Sequence, residues 1–209
     1  MGITELVFPT YKADPGLQAQ LKNTAPEIFK QFHGTEGLLS LFRGKILVDN
    51  GVPVDLGSGR SLLVLEWDRA SSFHRFYPDS APFQKFVQLI KPFLAGPVTP
   101  ELFESPARSE LCSSSSVTQI IKVKKAPNTE HLWNEFHAAV ANTTTGNPAS
   151  FYASGVESHE GVFLGMVGWR SLEDYYQSTK NEKATGILKE LGSSGKMCDI
   201  VAQLERIGV

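Results

Sequence analysis

The chain has 209 residues, of which 41% are hydrophobic and 20% are charged, and its formal net charge is −2. This length suits one large domain or two small ones. The composition is that of a globular protein without the basic surplus of nucleic-acid binders, so no nucleic-acid partner is expected.

The first residues, MGITELVFPTYK, predict a strand, because no basic segment followed by an apolar one marks a secretion signal. No run approaches the roughly 18 apolar residues of a membrane span. We therefore expect a cytoplasmic protein that does not enter a membrane. Cys112 and Cys198 form no CxxC pair, which predicts two free thiols and no metal site. The sequon Asn142-Thr143-Thr144 would matter only in a secreted chain.

A helix follows the first strand. Asp14 is predicted as its N-cap with Pro15 at the first helical position, Gly34 as its end, and Pro26 as a kink. Apolar residues recur along it at helical spacing, namely Leu17, Leu21, Ile28, Phe29 and Phe32.

The rest of the first half predicts a hairpin, a second helical region and a closing strand. The runs LLSLFRGKILVDN and SLLVLEWD are strand-like and are joined by a segment rich in Gly, Pro and Asp. A helical pattern extends from Ser71 to about Leu94, with interruptions near Pro78 and Pro82. The segment TPELFES predicts the closing strand.

The second half repeats this order after residues 106–116, whose small polar residues are typical of a linker. VTQIIKVKK predicts a strand and NTEHLWNEFHAAVAN a helix. SFYASGVESHEGVFLGMVGW predicts a hairpin, SLEDYYQSTKNEKATGILKELG a helix, and DIVAQLERI a strand. We therefore expect two units, at 1–105 and 117–209.

Each unit reads β-α-β-β-α-β, which is the ferredoxin-like order, with two helices on one face of a four-stranded antiparallel sheet. A sheet that is covered on one face leaves the other face without a partner. Two units in one chain can pair these faces. The predicted fold is therefore α+β, with two tandem ferredoxin-like units forming an intrachain α+β barrel.

One pattern occurs in both halves at the end of the third strand of the unit. Trp67 is followed by Ser71, Ser72 and Phe73, as Trp169 is followed by Glu173, Asp174 and Tyr175. Because of this tryptophan pattern and the order of its elements, the chain resembles the dimeric α+β barrel superfamily. Within that superfamily it resembles the antibiotic-biosynthesis-monooxygenase-like branch in a tandem, fungal-type form. The resemblance covers essentially the whole chain. That superfamily includes cofactor-independent oxygenases, cyclases, isomerases and haem-degrading enzymes, and the fold alone does not choose among them.

Two site patterns of that superfamily are missing here. The resemblance places the haem-degrading Trp and His at Phe76 and Phe86, or at Ser178 and Leu188. It places the catalytic Tyr and His of plant polyketide cyclases at Phe76 and Pro82, or at Ser178 and Ala184. Neither pair of residue types is present at these positions, so haem binding as in the haem-degrading branch is not expected.

Histidines are the natural candidates for acid–base chemistry, because the imidazole pKa lies near neutral pH. His74 and Tyr77 lie one predicted helical turn apart after Trp67, which favours them as a base and a proton donor. His33, at the end of the first helix, is a further candidate. Each histidine also has a simpler explanation, as a helix-end residue or a surface residue. His131, His137 and His159 are interpreted as solvated or structural.

Substrate binding is assigned to Arg43, Trp67, Tyr11 and Phe76. Arg43 lies in the middle of a strand and needs a partner, which can be a ligand carboxylate, a ligand enolate or an internal acid such as Glu66. The aromatic residues suit a flat apolar ligand, but they would equally fill two small cores.

The sequence therefore favours a cofactor-independent enzyme that tailors a polyketide-like or aromatic metabolite by cyclisation, isomerisation or O2-dependent oxidation. The alternative is a non-catalytic barrel that binds an apolar ligand or serves in an assembly. No motif for a metal, nucleotide or flavin is present in the sequence. The expected partner is a small apolar or aromatic molecule, and the chain is expected to be a monomer or a homodimer.

Overall fold

The computed structural model describes residues 1–142 and 147–209, so Thr143 and Thr144 of the sequon lie outside the described residues. The first half contains β1 (Gly2–Val7), α1 (Pro15–Phe29), β2 (Leu38–Asp49), β3 (Val52–Pro53), β4 (Ser61–Trp67), α2 (Ala70–Phe76), α3 (Ala81–Ile90) and β5 (Glu101–Ser105). The second half contains β6 (Val117–Lys124), α5 (Thr129–Ala141), β7 (Ala149–Gly155), β8 (Val162–Trp169), α6 (Leu172–Ser178), α7 (Glu182–Leu191) and β9 (Cys198–Ile207). A short helix, α4 (Glu110–Ser113), lies between the halves.

Local sequence explains where the first-half helices begin and end. The Asp14 carboxylate accepts a hydrogen bond from the Leu17 amide at 2.8 Å, and Pro15 occupies the first turn of α1. The second helical region is split, as predicted. Helix α2 ends before Pro78, and α3 starts anew with Ser80 accepting a hydrogen bond from the Phe83 amide at 3.2 Å.

The predicted linker, residues 106–116, is packed against the barrel. Cys112 and Ser113 of α4 are buried, as is Ser109 before it. The Ser109 amide donates to Oε1 of Glu66 at 3.2 Å, and the Ser109 hydroxyl hydrogen-bonds the same oxygen. A composition of small polar residues therefore marks a connection here, and one of these residues, Ser109, satisfies a buried carboxyl group.

The strands form one closed antiparallel barrel. Within each half the strand order is ferredoxin-like, β2-β4-β1-β5 in the first and β7-β8-β6-β9 in the second. The halves join edge to edge: β5 pairs with β7, and β2 pairs with β9 from Leu41–Ile207 to Asp49–Ile200. The tandem α+β barrel predicted from the sequence is confirmed, and eight of the strands in the described residues close it.

Three apolar layers hold this arrangement. The barrel interior is filled from both halves, for example by Leu6, Phe42, Phe103, Ile120 and Met166. Two further cores lie between the sheet and the helices, one in each half. The sheet faces that an isolated ferredoxin-like unit would leave open thus line the barrel interior. Within the described residues, no helix has both the length and the apolar character needed to cross a membrane.

The long seam between β2 and β9 requires a glycine. A Cβ atom on Gly44 would lie 1.8 Å from the carbonyl oxygen of Gln203, and 2.9 Å from the Cα atom of Leu204. Both neighbouring atoms belong to the backbone, so the contact can be relieved only by moving the strands apart. The two halves therefore approach each other closely at a residue without a side chain.

We predict that Gly44→Ala lowers the free energy of unfolding by about 2 kcal/mol or more, because the added methyl group forces β2 away from β9. Gly186→Ala is the matched control. A Cβ atom on Gly186 in α7 meets nothing within 4 Å, and alanine favours a helix by about 1 kcal/mol over glycine. Urea unfolding of both variants checks this, and equal stability of Gly44→Ala and the wild type would contradict the seam as described.

Candidate functional site

A cavity of about 550 Å³ lies in the first half, between the sheet and the helices that cover it. Its floor is formed by β1 and β4, and its walls by α2, α3 and the loop after α3. The lining is almost entirely apolar, with Phe32, Leu63, Phe76, Phe83, Phe86 and Ile90 among the residues that form it. A cavity of this size and character fits a small, largely apolar molecule. We call it the first-half cavity.

Glu5 is the one acidic side chain among the residues that line this cavity. It lies in the middle of β1, between Ile3 and Val7 on the face that is turned to the helices, and only 7% of its surface is exposed. The indole Nε1 of Trp67 donates a hydrogen bond to its Oε2 at 2.8 Å. The described part of the chain offers no hydrogen-bond partner to Oε1.

This environment changes the acidity of Glu5. Burial disfavours the charged form and raises the pKa of Glu5 to about 7, while the hydrogen bond from Trp67 acts in the opposite direction. The carboxyl group is therefore divided between its protonated and ionised forms near neutral pH. This is the condition under which a side chain both accepts and returns a proton efficiently.

Tyr77 brings a phenol to the same cavity. It follows the last residue of α2, and its ring stacks on Phe73 with centroids 5.2 Å apart and meets the Phe83 ring edge-on at 4.9 Å. The ring is thus held by two aromatic neighbours, while the hydroxyl has no hydrogen-bond partner in the described residues. The exposed Lys91 lies at the rim of the cavity.

The second half has the same strand framework, but different side chains lie between its sheet and helices. Because Ile3 pairs with Trp67 and Val117 with Trp169, Gln119 occupies the position that Glu5 has in the first half. Trp169 donates to the Gln119 oxygen at 3.3 Å, and the Gln119 amide donates to Asp199 at 2.9 Å. An amide whose oxygen and nitrogen each make a hydrogen bond thus replaces the carboxyl group.

Trp133 packs directly on the sheet of the second half. Its ring lies where a Cβ atom of Gly165 would be, with the nearest ring atom 2.3 Å from that position. The residue in the same register in the first half is Leu63, which lines the first-half cavity. The two halves therefore share one framework, with a cavity and a glutamate in the first half, and a tryptophan and a glutamine at the matching positions of the second.

The residues that the sequence assigned to one site lie in several places. Tyr77 and Phe76 line the first-half cavity. Trp67 is fully buried and reaches the cavity only through its hydrogen bond to Glu5. Tyr11 and Arg43 line a second cavity. The partner of Arg43 is Glu205, at 2.6 Å, and not Glu66.

The two favoured histidines do not line the first-half cavity. The side chain of His74 is 49% exposed, and its Nε2 lies 2.7 Å from Glu157 of the second half. His33 is exposed at the end of the helical turn after α1. The helical spacing of His74 and Tyr77 does not bring them together, because α2 ends at Phe76 and Tyr77 leaves the helical path.

Glu5 is not among the predicted site residues, because the segment TELVFPTYK predicts only a strand. The signal that could have found it is the alternation in β1, which places one acid between the apolar Ile3 and Val7 on the same face. Acidic side chains are rarely buried without a pairing or a function.

The sequence matches no protein-family model and no curated protein. Solved structures match along nearly the whole chain. A candidate monooxygenase of Fusobacterium nucleatum is 10% identical with a TM-score of 0.64, over 99% of this chain and 95% of that one. An anthrone oxidase-like protein is 12% identical with a TM-score of 0.64, over 100% and 94%. A candidate chlorite dismutase is 10% identical with a TM-score of 0.61, over 98% and 95%.

At these identities the likeness shows the fold. The chain shares the tandem α+β barrel fold of these proteins, which is the fold that the resemblance in sequence predicted. The match extends over both halves of the chain, so it includes the way in which the two units close the barrel.

The residues of the first-half cavity do not fit haem in the manner of the haem-degrading branch. The positions at which the resemblance places the haem-binding histidine hold Phe86, which lines the cavity, and Leu188, which packs on the second-half core. Neither side chain can ligate iron. Among the described residues, no group of three or more His, Cys, Asp or Glu side chains could hold a metal ion.

We predict that Glu5→Gln makes the protein more stable at pH 8 but not at pH 5. In the unfolded chain the Glu5 carboxyl ionises near its ordinary pKa of 4.5, whereas in the folded protein it ionises near 7. The folded state binds more protons between these values, so the stability of the wild type falls as pH rises through this window. The expected gain at pH 8 is about 1 to 3 kcal/mol.

Urea unfolding at several pH values measures this difference. The exposed Glu27→Gln is the control, and its stability should follow that of the wild type at every pH. If the curves of Glu5→Gln and the wild type run parallel between pH 5 and pH 8, Glu5 is not the buried acid described above.

Proposed function

We propose that the chain is a cofactor-independent oxygenase that acts on an aromatic or polyketide-like molecule in the first-half cavity. The observation that carries this proposal is Glu5, a buried carboxyl group with a pKa near neutral at the floor of an apolar cavity. The similarity in fold to proteins described as a monooxygenase and as anthrone oxidase-like supports it.

The first step is proton abstraction by Glu5. The ionised carboxylate takes a proton from a carbon atom that lies next to a carbonyl group or inside a phenolic ring system, which leaves an enolate. A carboxylate in an apolar cavity is a stronger base than one in water, because burial destabilises its charge. Trp67 holds Oε2, so Oε1 is the oxygen that accepts the proton.

Tyr77 stabilises the charge that this step creates. Its phenol is free to donate a hydrogen bond to the enolate oxygen, where a fixed donor lowers the barrier because its orientation precedes the reaction. The rings of Phe32, Phe76, Phe83 and Phe86 line the same space and offer flat surfaces to an aromatic substrate. Binding in this position brings the acidic carbon to Glu5.

Molecular oxygen is the oxidant in the second step. The enolate carbon forms a bond to O2 and, after protonation by Glu5, gives a hydroperoxide. Glu5 then takes the second hydrogen of that carbon as a proton while the O–O bond breaks, which leaves a ketone and hydroxide. Glu5 returns this proton to the hydroxide, and water is released. One oxygen atom of O2 thus enters the product and the other leaves as water, and all four electrons come from the substrate. No electron donor other than the substrate is needed.

The same enolate could be used without O2 for cyclisation or isomerisation, in which Glu5 returns the proton at another position. The non-catalytic alternative uses the cavity only to hold a ligand. Oxygen uptake and substrate conversion distinguish these possibilities. An oxygenase consumes O2, a cyclase or isomerase converts its substrate without O2, and a ligand-binding protein converts nothing.

We predict that anthrone and related anthrones are oxidised with uptake of one O2 per molecule, measured with an oxygen electrode and by product mass. Glu5→Gln should reduce kcat/KM at least about a hundredfold, and Tyr77→Phe about tenfold. Because the base must be ionised, kcat/KM should rise with pH through about 7 and then level off.

His74→Ala serves as the matched control, since His74 lies outside the cavity, and it should retain the activity of the wild type. Loss of turnover in His74→Ala together with full activity in Glu5→Gln would contradict the role of Glu5. It would favour His74 and Tyr77, the acid–base pair predicted from the sequence. Tight binding of anthrones without any conversion would favour the ligand-binding alternative.

A further inference from the structure

A second cavity of about 590 Å³ lies where α1 crosses β2 at the seam between the halves. It is lined by α1, by β2, by the connection between β2 and β4, and by Glu205 of β9. None of its lining residues also lines the first-half cavity. We call it the seam groove.

The groove has an apolar floor. The ring of Phe29 is buried, and Leu21 and Ala25 lie beside it on α1. The guanidinium carbon of Arg43 lies 4.9 Å from the centre of the Phe29 ring. Stacking on an aromatic ring orients a guanidinium group, so Arg43 is held in place on this floor.

Positively charged side chains outnumber negatively charged ones around the groove. Lys22, Arg43, Lys45 and Arg60 line it, against a single acid, Glu205, whereas the whole chain has a formal net charge of −2. Arg60 is paired with Asp49 at 2.8 Å. The other three cations face one carboxylate between them. A groove of this kind raises the local concentration of anions.

The donor groups of the groove are only partly used. Arg43 donates from Nε to Glu205 at 2.6 Å, and its terminal Nη groups have no hydrogen-bond partner in the described residues. Glu205 is 63% exposed, and an ion pair with so exposed a partner contributes little to stability. An incoming anion can therefore compete with Glu205 for the guanidinium group.

Tyr11 provides a second donor on the same wall. Burial raises the pKa of Tyr11 to about 12, although the positive charge of Arg43 lowers it in part. The phenol thus keeps its proton at neutral pH, and it has no hydrogen-bond partner in the described residues. Tyr11 and Arg43 both line the seam groove.

From this geometry we propose that the seam groove is a binding site for an organic carboxylate, separate from the first-half cavity. The carboxylate accepts hydrogen bonds from the Nη groups of Arg43 and from the Tyr11 phenol, and the apolar body of the ligand lies over Phe29 and Leu21. A planar carboxylate matches the guanidinium fork, and its charge is favoured by Lys22 and Lys45.

The probe that tests this is 2-naphthoate, compared with its neutral analogue 2-naphthalenemethanol, titrated into the full-length protein by calorimetry at low ionic strength. Naphthoate should bind at least about tenfold more tightly than the alcohol. In ¹⁵N spectra, the Nε–H signal of Arg43, identified by its loss in Arg43→Gln, should shift during the titration with naphthoate only.

Variants separate the seam groove from general attraction to positive charge. Arg43→Gln should weaken naphthoate binding at least about tenfold, and Tyr11→Phe about threefold, since each removes a donor. Glu205→Gln should strengthen binding about threefold because it removes the competing carboxylate. Arg75→Gln, an exposed arginine paired with Glu36 away from the groove, is the matched control and should bind like the wild type.

The opposite results would overturn the proposal. Equal affinity for naphthoate and the alcohol would show that the groove does not recognise a carboxylate. If Arg43→Gln fails to fold, Tyr11→Phe and Glu205→Gln still decide the question, and unchanged affinity in both would exclude the assigned contacts. These outcomes do not depend on turnover in the first-half cavity.

Discussion

The hydrogen bond from the strand-end tryptophan to the central strand organises the candidate site. Trp67 ends β4 and reaches back to Glu5 in β1, and Trp169 makes the corresponding contact to Gln119 in the second half. In both halves the contact joins neighbouring strands beneath the helices and positions a polar side chain on an otherwise apolar face. With glutamine the result is a satisfied amide network. With glutamate and an open cavity above it, the result is a carboxyl group that exchanges a proton near neutral pH.

Closing the barrel within one chain allows the halves to differ. A barrel made from two identical chains must repeat every cavity and every filled core, whereas here the two halves share a strand order and differ in the side chains between sheet and helices. Gly165 leaves room for Trp133 to fill the space over the second sheet. Leu63 stands at that register in the first half, and the space above it is part of the cavity. The space between sheet and helices is thus left open as a cavity in one half and filled by a tryptophan in the other.

The sequence predicted the parts of this structure that depend on local periodicity. The strands, the split of the second helical region near Pro78 and the ferredoxin-like order followed from apolar spacing and from the placement of proline and glycine. The site depends on contacts between distant residues, and these were not predictable in the same way. Arg43 and Glu205 are paired across the seam by strand register, and His74 lies against Glu157 from the other half. The role of Glu5 was not predicted for a related reason, because the burial of its carboxyl group depends on how the helices pack over the sheet.

Whether Glu5 titrates near neutral pH in the folded protein can be measured directly by ¹³C NMR. With glutamate labelled at the side-chain carboxyl carbon, the pH titration of each signal reports its own ionisation, and Glu5→Gln identifies the signal of Glu5. Because Glu5 is buried in an apolar cavity, we expect this signal to titrate with a midpoint of about 7. A midpoint near the ordinary value of 4.5 would show that water reaches the carboxyl group freely, and would contradict the account of the first-half cavity.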